Sequence, residues 1–148
     1  MNFLANQKDM REKVSVLQSE MLKHEQIVMP VNHYFSQGVY AREITIPKDT
    51  ILVGEIHKYQ QLNILSCGEI SVLTEDGIVR VKAPFAVVSP PGTKRIAYAH
   101  TDCVWTTIHG TEETNLDKIE QHFIAKDEDD YLAHCKELCI GDSTKCLG

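Results

Sequence analysis

Between residues 39 and 109 the chain is a series of short apolar runs broken by Gly, Pro and Asp-Gly, the pattern of closely spaced antiparallel strands. Residues 39–46 alternate apolar and polar and stop at Pro47-Lys48-Asp49, a strand and its turn. Residues 51–56 and 62–65 follow as strands. Residues 69–73 face 78–82 across Thr74-Glu75-Asp76-Gly77, the strongest hairpin signal in the sequence. Residues 85–88, 95–99 and 104–108 bring the set to about eight or nine strands, which suits a small jelly roll or barrel.

Both flanks have a helical period. Met10, Val14, Leu17, Met21, His24 and Val28 are spaced by alternating fours and threes, a heptad seam within a helix over residues 1–29. Arg11, Glu12, Lys13, Gln18, Glu20, Lys23 and Glu25 give that helix a solvated opposite face. It either lies on the outside of the barrel or joins subunits as a short coiled coil. Pro30 stops it, because the residue before a proline avoids the helical region. Residues 31–37, with Tyr34 and Phe35, read as a connector tucked against the barrel. Beyond Gly110, Thr111 to Thr114 offer capping side chains, and Leu116, Ile119, Phe123 and Ile124 repeat at helical spacing. The acidic run 127–130 is read as the favourable first turn of a last helix over 131–138, not as a cation site. Gly141 ends that helix and leaves a loose tail, 142–148. The organisation expected is a helix at 1–29, a β-barrel at 31–110, and C-terminal helices with a tail at 111–148.

The frame Gly54, His57 and Gly68, followed by Pro90-Pro91-Gly92, carries a family resemblance. The stretch resembles a cupin, the small jelly-roll barrel whose catalytic members hold a metal with three His and one Glu. The resemblance sets His57 at the first His position, Tyr59 at the second, Gln60 or Gln61 at the carboxylate and Arg95 at the third His. With most ligand positions replaced, it implies the fold without the usual metal chemistry, no cofactor, and a protein leaning away from catalysis. The chain is also similar to small cupin-like proteins encoded by tailed bacteriophages. That similarity implies an oligomeric structural or accessory protein in the host cytoplasm or the virion.

Bulk properties narrow the classes. At 148 residues, 43% hydrophobic and 24% charged, the chain suits one domain with one core. A net charge of −6 disfavours general binding to nucleic acid or anionic membranes, and Lys94-Arg95 is the best local basic patch. No apolar run reaches the roughly 20 residues that span a bilayer, and the N-terminus lacks an apolar signal core. Five Cys, an odd number with no framework spacing, fit a reducing cytoplasm.

His57, Tyr59, Gln61 and Asn63 are two apart, so on a strand they share one face. In a cupin frame that face lines the barrel, with Arg95 approaching it and Thr107 and His109 reaching it from the last strand. Buried polar groups need partners, so these residues either satisfy one another or await a ligand. A guanidinium in a concave polar site suits a carboxylate or phosphate. The expected ligand set is therefore His57, Tyr59, Gln61, Asn63, Lys94, Arg95 and His109, holding an anionic small molecule such as a nucleotide or sugar phosphate. Arg95 could instead pair with Glu43 or Glu55. A rearranged metal site of His57, His109 and Glu55, that of a metal-dependent oxygenase with a degenerate cupin site, is a lesser alternative. So is a metal-free isomerase using His57 and Tyr59, although no carboxylate that would orient the histidine can be read. His134, Cys135, Cys139 and Cys146 lack the paired knuckles of a zinc site, and one or two of these Cys are expected to pack between helix and barrel. Trp105 is expected in the core or at a subunit interface. Association is expected through the N-terminal helix or the barrel faces.

Overall fold

The computed structural model describes residues 3–141. The expected loose tail and Cys146 lie outside the described residues. The elements are α1 (Phe3–Met21), β1 (Val31–Ser36), β2 (Val39–Ile46), β3 (Ile51–Val53), β4 (Ile56–His57), β5 (Gln61–Cys67), β6 (Glu69–Thr74), β7 (Gly77–Lys82), β8 (Phe85–Ser89), β9 (Ile96–Ala99), β10 (Cys103–Gly110), α2 (Leu116–Phe123), β11 (Ile124–Ala125) and α3 (Glu128–Gly141).

One sheet has the order β1-β2-β10-β5-β8 and the other β3-β9-β6-β7; β4 pairs with β11, and every pairing is antiparallel. Without the extra edge strand β1, the two four-stranded sheets interleave first with last and inner with inner. That is the strand order of an eight-stranded jelly roll. β4 prolongs the line of β3, since Gly54 N–H donates to the Arg95 carbonyl and His57 N–H to the Thr93 carbonyl. The protein is therefore a mainly β jelly roll with one N-terminal and two C-terminal helices, the arrangement expected from the sequence.

The core lies between the sheets. Ile44, Ile46, Leu65, Ile70, Ala99 and Cys103 form its centre, with Leu52, Val72, Phe85 and Trp105 packed around them. Each fully buried aliphatic side chain of this kind contributes about 1.5–3 kcal/mol, so this end of the barrel holds the sheets together. The hairpin of β6 and β7 forms where expected, with Gly77 at φ +110.

Three expectations are corrected. Residues 31–36 form a strand rather than a connector. They fold onto β2 across Gln37-Gly38, where Gly38 takes φ +76, a conformation glycine adopts without steric penalty. The N-terminal helix ends at Met21, where the Gln26 amide donates to the Met21 and His24 carbonyls and satisfies the helix end. His24 and Val28 are thus outside the helix, and Val28 is 90% exposed. The heptad seam is only partly its buried stripe: Val14 is buried and Met10 and Met21 are half-buried, but Leu17 is exposed while polar Gln7 and Arg11 are buried. The face against the barrel is largely polar because it docks on backbone carbonyls, the Gln7 amide on Pro91 and the Arg11 guanidinium on Gly92. At the C-terminus Asn115 caps α2 by accepting from Lys118 N–H. α3 begins at Glu128, its first turn acidic as expected, with the Asp127 carboxylate accepting from Asp130 N–H. Among the described residues no helix is long and apolar enough to cross a membrane.

Candidate functional site

Register across the larger sheet divides the barrel interior into two ends. Ile44, Trp105, Leu65 and Phe85 form one transverse row, and Arg42, Thr107, Asn63 and Val87 form the next. Beyond these, Tyr40 pairs with His109 and Gln61 with Ser89. The period of two that buries Ile44 and Leu65 in the apolar core therefore carries Arg42, Asn63, Gln61 and His109 into the same interior one or two steps further along.

Asn63 is engaged by its neighbours. Its Oδ1 accepts from Trp105 Nε1 (3.3 Å) and Thr107 Oγ1 (2.9 Å), and its Nδ2 donates to Ser89 Oγ (3.0 Å). It ties three strands together, and the second N–H of its amide has no partner among the described residues. Trp105 packs in the core, one of the two places expected for it.

His57, Gln61 and His109 differ from it. His57 Nδ1, Gln61 Oε1 and His109 Nδ1 are buried with no hydrogen-bond partner among the described residues. The two imidazoles stack with centroids 5.8 Å apart and planes at 23°, and Phe123 from α2 stacks on His109 at 4.2 Å. Burial pushes the His57 pKa down to about 4, helped by His109 and by the Arg42 guanidinium. Burial does the same to His109, down to about 4, with a further contribution from His122. Both rings are neutral at pH 7. Arg42 is exposed, has no hydrogen bond or ion pair among the described residues, and is close enough to act on both His57 and Tyr40. Tyr40 Oη bonds His33 Nδ1 at 2.7 Å.

The remaining expected site residues go elsewhere. The chain bends at residues 58–60, so the period that would align Tyr59 with His57 is broken. Tyr59 lies under the C-terminal helices instead, stacked on His122 at 4.9 Å and edge-on to His134 at 5.0 Å. Lys94 is next to Arg95 and so faces the opposite way. Its Nζ donates to Gln18 Oε1 (2.8 Å) and to the Gly54 carbonyl (3.1 Å), anchoring α1. Arg95 pairs with Glu75 from the β6–β7 turn at 2.6 Å, not with Glu43 or Glu55. Glu43 accepts from the Asn32 amide, and exposed Glu55 acts on Lys94. Arg42 is the residue that sequence reasoning missed. The alternation of Tyr40, Arg42, Ile44 and Ile46 already put it on the inward face.

The donors do not fit the metal set of the resembled family. A guanidinium close enough to act on His57 disfavours a cation there, and Glu55 is exposed and acts on Lys94. Among the described residues no three His, Cys, Asp or Glu side chains are grouped to hold a cation. Nor is a proton-transfer pair assembled, since neither Nδ1 meets a carboxylate and Tyr59 is turned aside. Cys135 packs with Ile56, Ala125 and Tyr131 between α3 and the barrel. Cys67 is an exposed and Cys103 a buried free thiol.

No family model and no curated protein matches the sequence. Among solved structures the chain is similar to a cupin superfamily protein from Desulfitobacterium hafniense, with 10% identity over 60% of this chain and 83% of that one and a TM-score of 0.49. It is similar to a cupin-2 domain protein from Shewanella frigidimarina, with 14% identity over 64% and 92% and a TM-score of 0.45. A cupin domain from Bordetella pertussis matches with 14% identity over 60% and 98% and a TM-score of 0.45. The jelly-roll assignment itself rests on the strand order.

Proposed function

We propose that this is a non-catalytic binding protein that takes a small anionic molecule into the polar end of its barrel. Three buried polar atoms without partners carry the reading: His57 Nδ1, Gln61 Oε1 and His109 Nδ1. Leaving such a group unpaired costs about 1–3 kcal/mol, and a ligand presenting donors and acceptors removes that cost. Arg42 supplies the charge. Its unpaired guanidinium suits the two-pronged grip on phosphate or carboxylate, the role expected of Lys94 and Arg95 before both proved engaged. Neutral histidines beside it suit the uncharged part of such a ligand, a sugar or a base. A nucleotide or sugar phosphate is the class this combination favours. An accessory role in the host cytoplasm is part of the same reading.

Thermal unfolding across a panel of nucleotides and sugar phosphates tests the reading. At least one member should raise Tm in the wild type and in Arg95→Ala but not in Arg42→Ala. A panel that leaves the wild type unmoved would remove the proposal.

A further inference from the structure

Among the described residues, side chains on the outer face of the β1-β2-β10-β5-β8 sheet stay exposed. Register aligns Tyr34, Ala41, Ile108, Leu62 and Val88 in one row across all five strands, every one apolar or aromatic. The next row is Asn32, Glu43, Thr106, Ile64 and Ala86. Tyr34 is 53% exposed, Leu62 38% and Val88 52%. In a chain with 24% charged residues, these ten positions hold one charge, Glu43, and it is already bonded to Asn32.

We propose that this face is a two-fold interface covered by a second copy of the chain. Charge favours that occupant. The chain carries a net −6, so a basic partner would be drawn to its acidic surfaces, whereas two identical acidic chains can meet only where each is neutral. Shape agrees. A two-fold axis along β10 sets Ile108 on its own copy, Leu62 on the small Ala41, and Tyr34 on Val88, so one patch complements itself. Size is also sufficient. Five strands about 4.8 Å apart, with five to eight residues at about 3.4 Å each, make a face of roughly 500 Å². Two copies then bury about 1,000 Å² or more with side-chain relief included, the level at which specific interfaces begin. The inference is independent of the ligand reading, since these side chains point away from the barrel interior.

Sedimentation velocity on the full chain tests it. The wild type should sediment as a dimer. Leu62→Glu and Tyr34→Lys, at opposite sides of the row, should each weaken dimerisation by roughly 100-fold, because each buries an unpaired charge at the contact. Both substitutions are at exposed positions, and circular dichroism would verify that each variant is folded. Val16→Glu, on the exposed side of α1 (73% exposed), should leave the dimer intact. A monomeric wild type would overturn the proposal. So would a dimer that survives both sheet substitutions, or one that is lost in Val16→Glu alone.

Discussion

His57 and His109 face each other as nearly parallel imidazoles 5.8 Å apart, and both are held neutral with pKa values pushed down to about 4. The ordinary value is 6.5, so on acidification the unfolded chain takes up these protons before the folded one does. Their contribution to stability is therefore complete above about pH 6.5 and is lost progressively as pH falls toward 4. Glu69, Glu113 and Asp130, whose carboxyls are held below their usual range, act mainly at the acid end of that window or beneath it. Denaturant midpoints measured from pH 7.5 to 4.5 should fall, and His57→Asn should flatten the fall. An unchanged profile in the variant would show that the pair is not responsible.

Arg42 and Lys94 make opposite predictions. Arg42 is exposed and unpaired, so Arg42→Ala should change Tm little and abolish the ligand-induced shift. Lys94 is buried and joins α1 to the barrel through Gln18 and the Gly54 carbonyl. Lys94→Met strands both acceptors and should cost about 1–3 kcal/mol while leaving the shift in place. Thermal unfolding with and without the best nucleotide or sugar phosphate separates the two effects.

These two residues also show what the sequence could reveal. Jelly-roll strands were readable because β2 alternates, short apolar runs are broken by Gly, Pro and Asp-Gly, and Gly77 marks a tight hairpin. Gln61, Asn63 and His109 fall on inward positions of β5 and β10, whereas His57 reaches the same interior from β4, across the bend that breaks the period. Tyr59 was misplaced because a bend after β4 breaks the period, and no single residue announces that bend. The assignment of Lys94 failed on a tertiary fact, the position of α1 over the Pro-Pro-Gly turn, which no local pattern encodes. Helix α1 itself was found, but its buried stripe was sought among apolar residues when the docking partners are backbone carbonyls. Arg42 is legible only from the alternation of β2, because it belongs to no motif.

Metal should matter little to this protein. The adjacent guanidinium disfavours a divalent cation at the position where the resembled family keeps one. Neither a chelator nor added zinc should move Tm, and native mass spectrometry should find no stoichiometric metal. Retained metal lost in His57→Asn would contradict this reading of the site.

Arg11 is the centre of the contact between both termini and the barrel. It forms two bonds to Glu128, at 2.7 and 2.9 Å, donates to the Gly92 carbonyl at 3.1 Å, and lies over the Tyr131 ring at 4.5 Å. Arg11→Met keeps much of the volume but leaves the carboxylate and carbonyl unmet. Removing one partner of a buried pair costs about 3–5 kcal/mol, and the partial exposure of Glu128 (26%) lowers the expectation to about 2–4 kcal/mol. Gly92 reports on the same junction. It sits at φ +83, and a Cβ there would lie 2.6 Å from the Tyr131 hydroxyl and 2.9 Å from Arg11 Nη1. Gly92→Ala should therefore destabilise by straining the backbone and displacing Arg11 at once. Because the two substitutions damage one contact, their effects should fall short of additive in a double-mutant cycle read by denaturant unfolding. Full additivity would mean that Arg11 does not depend on the turn for its place.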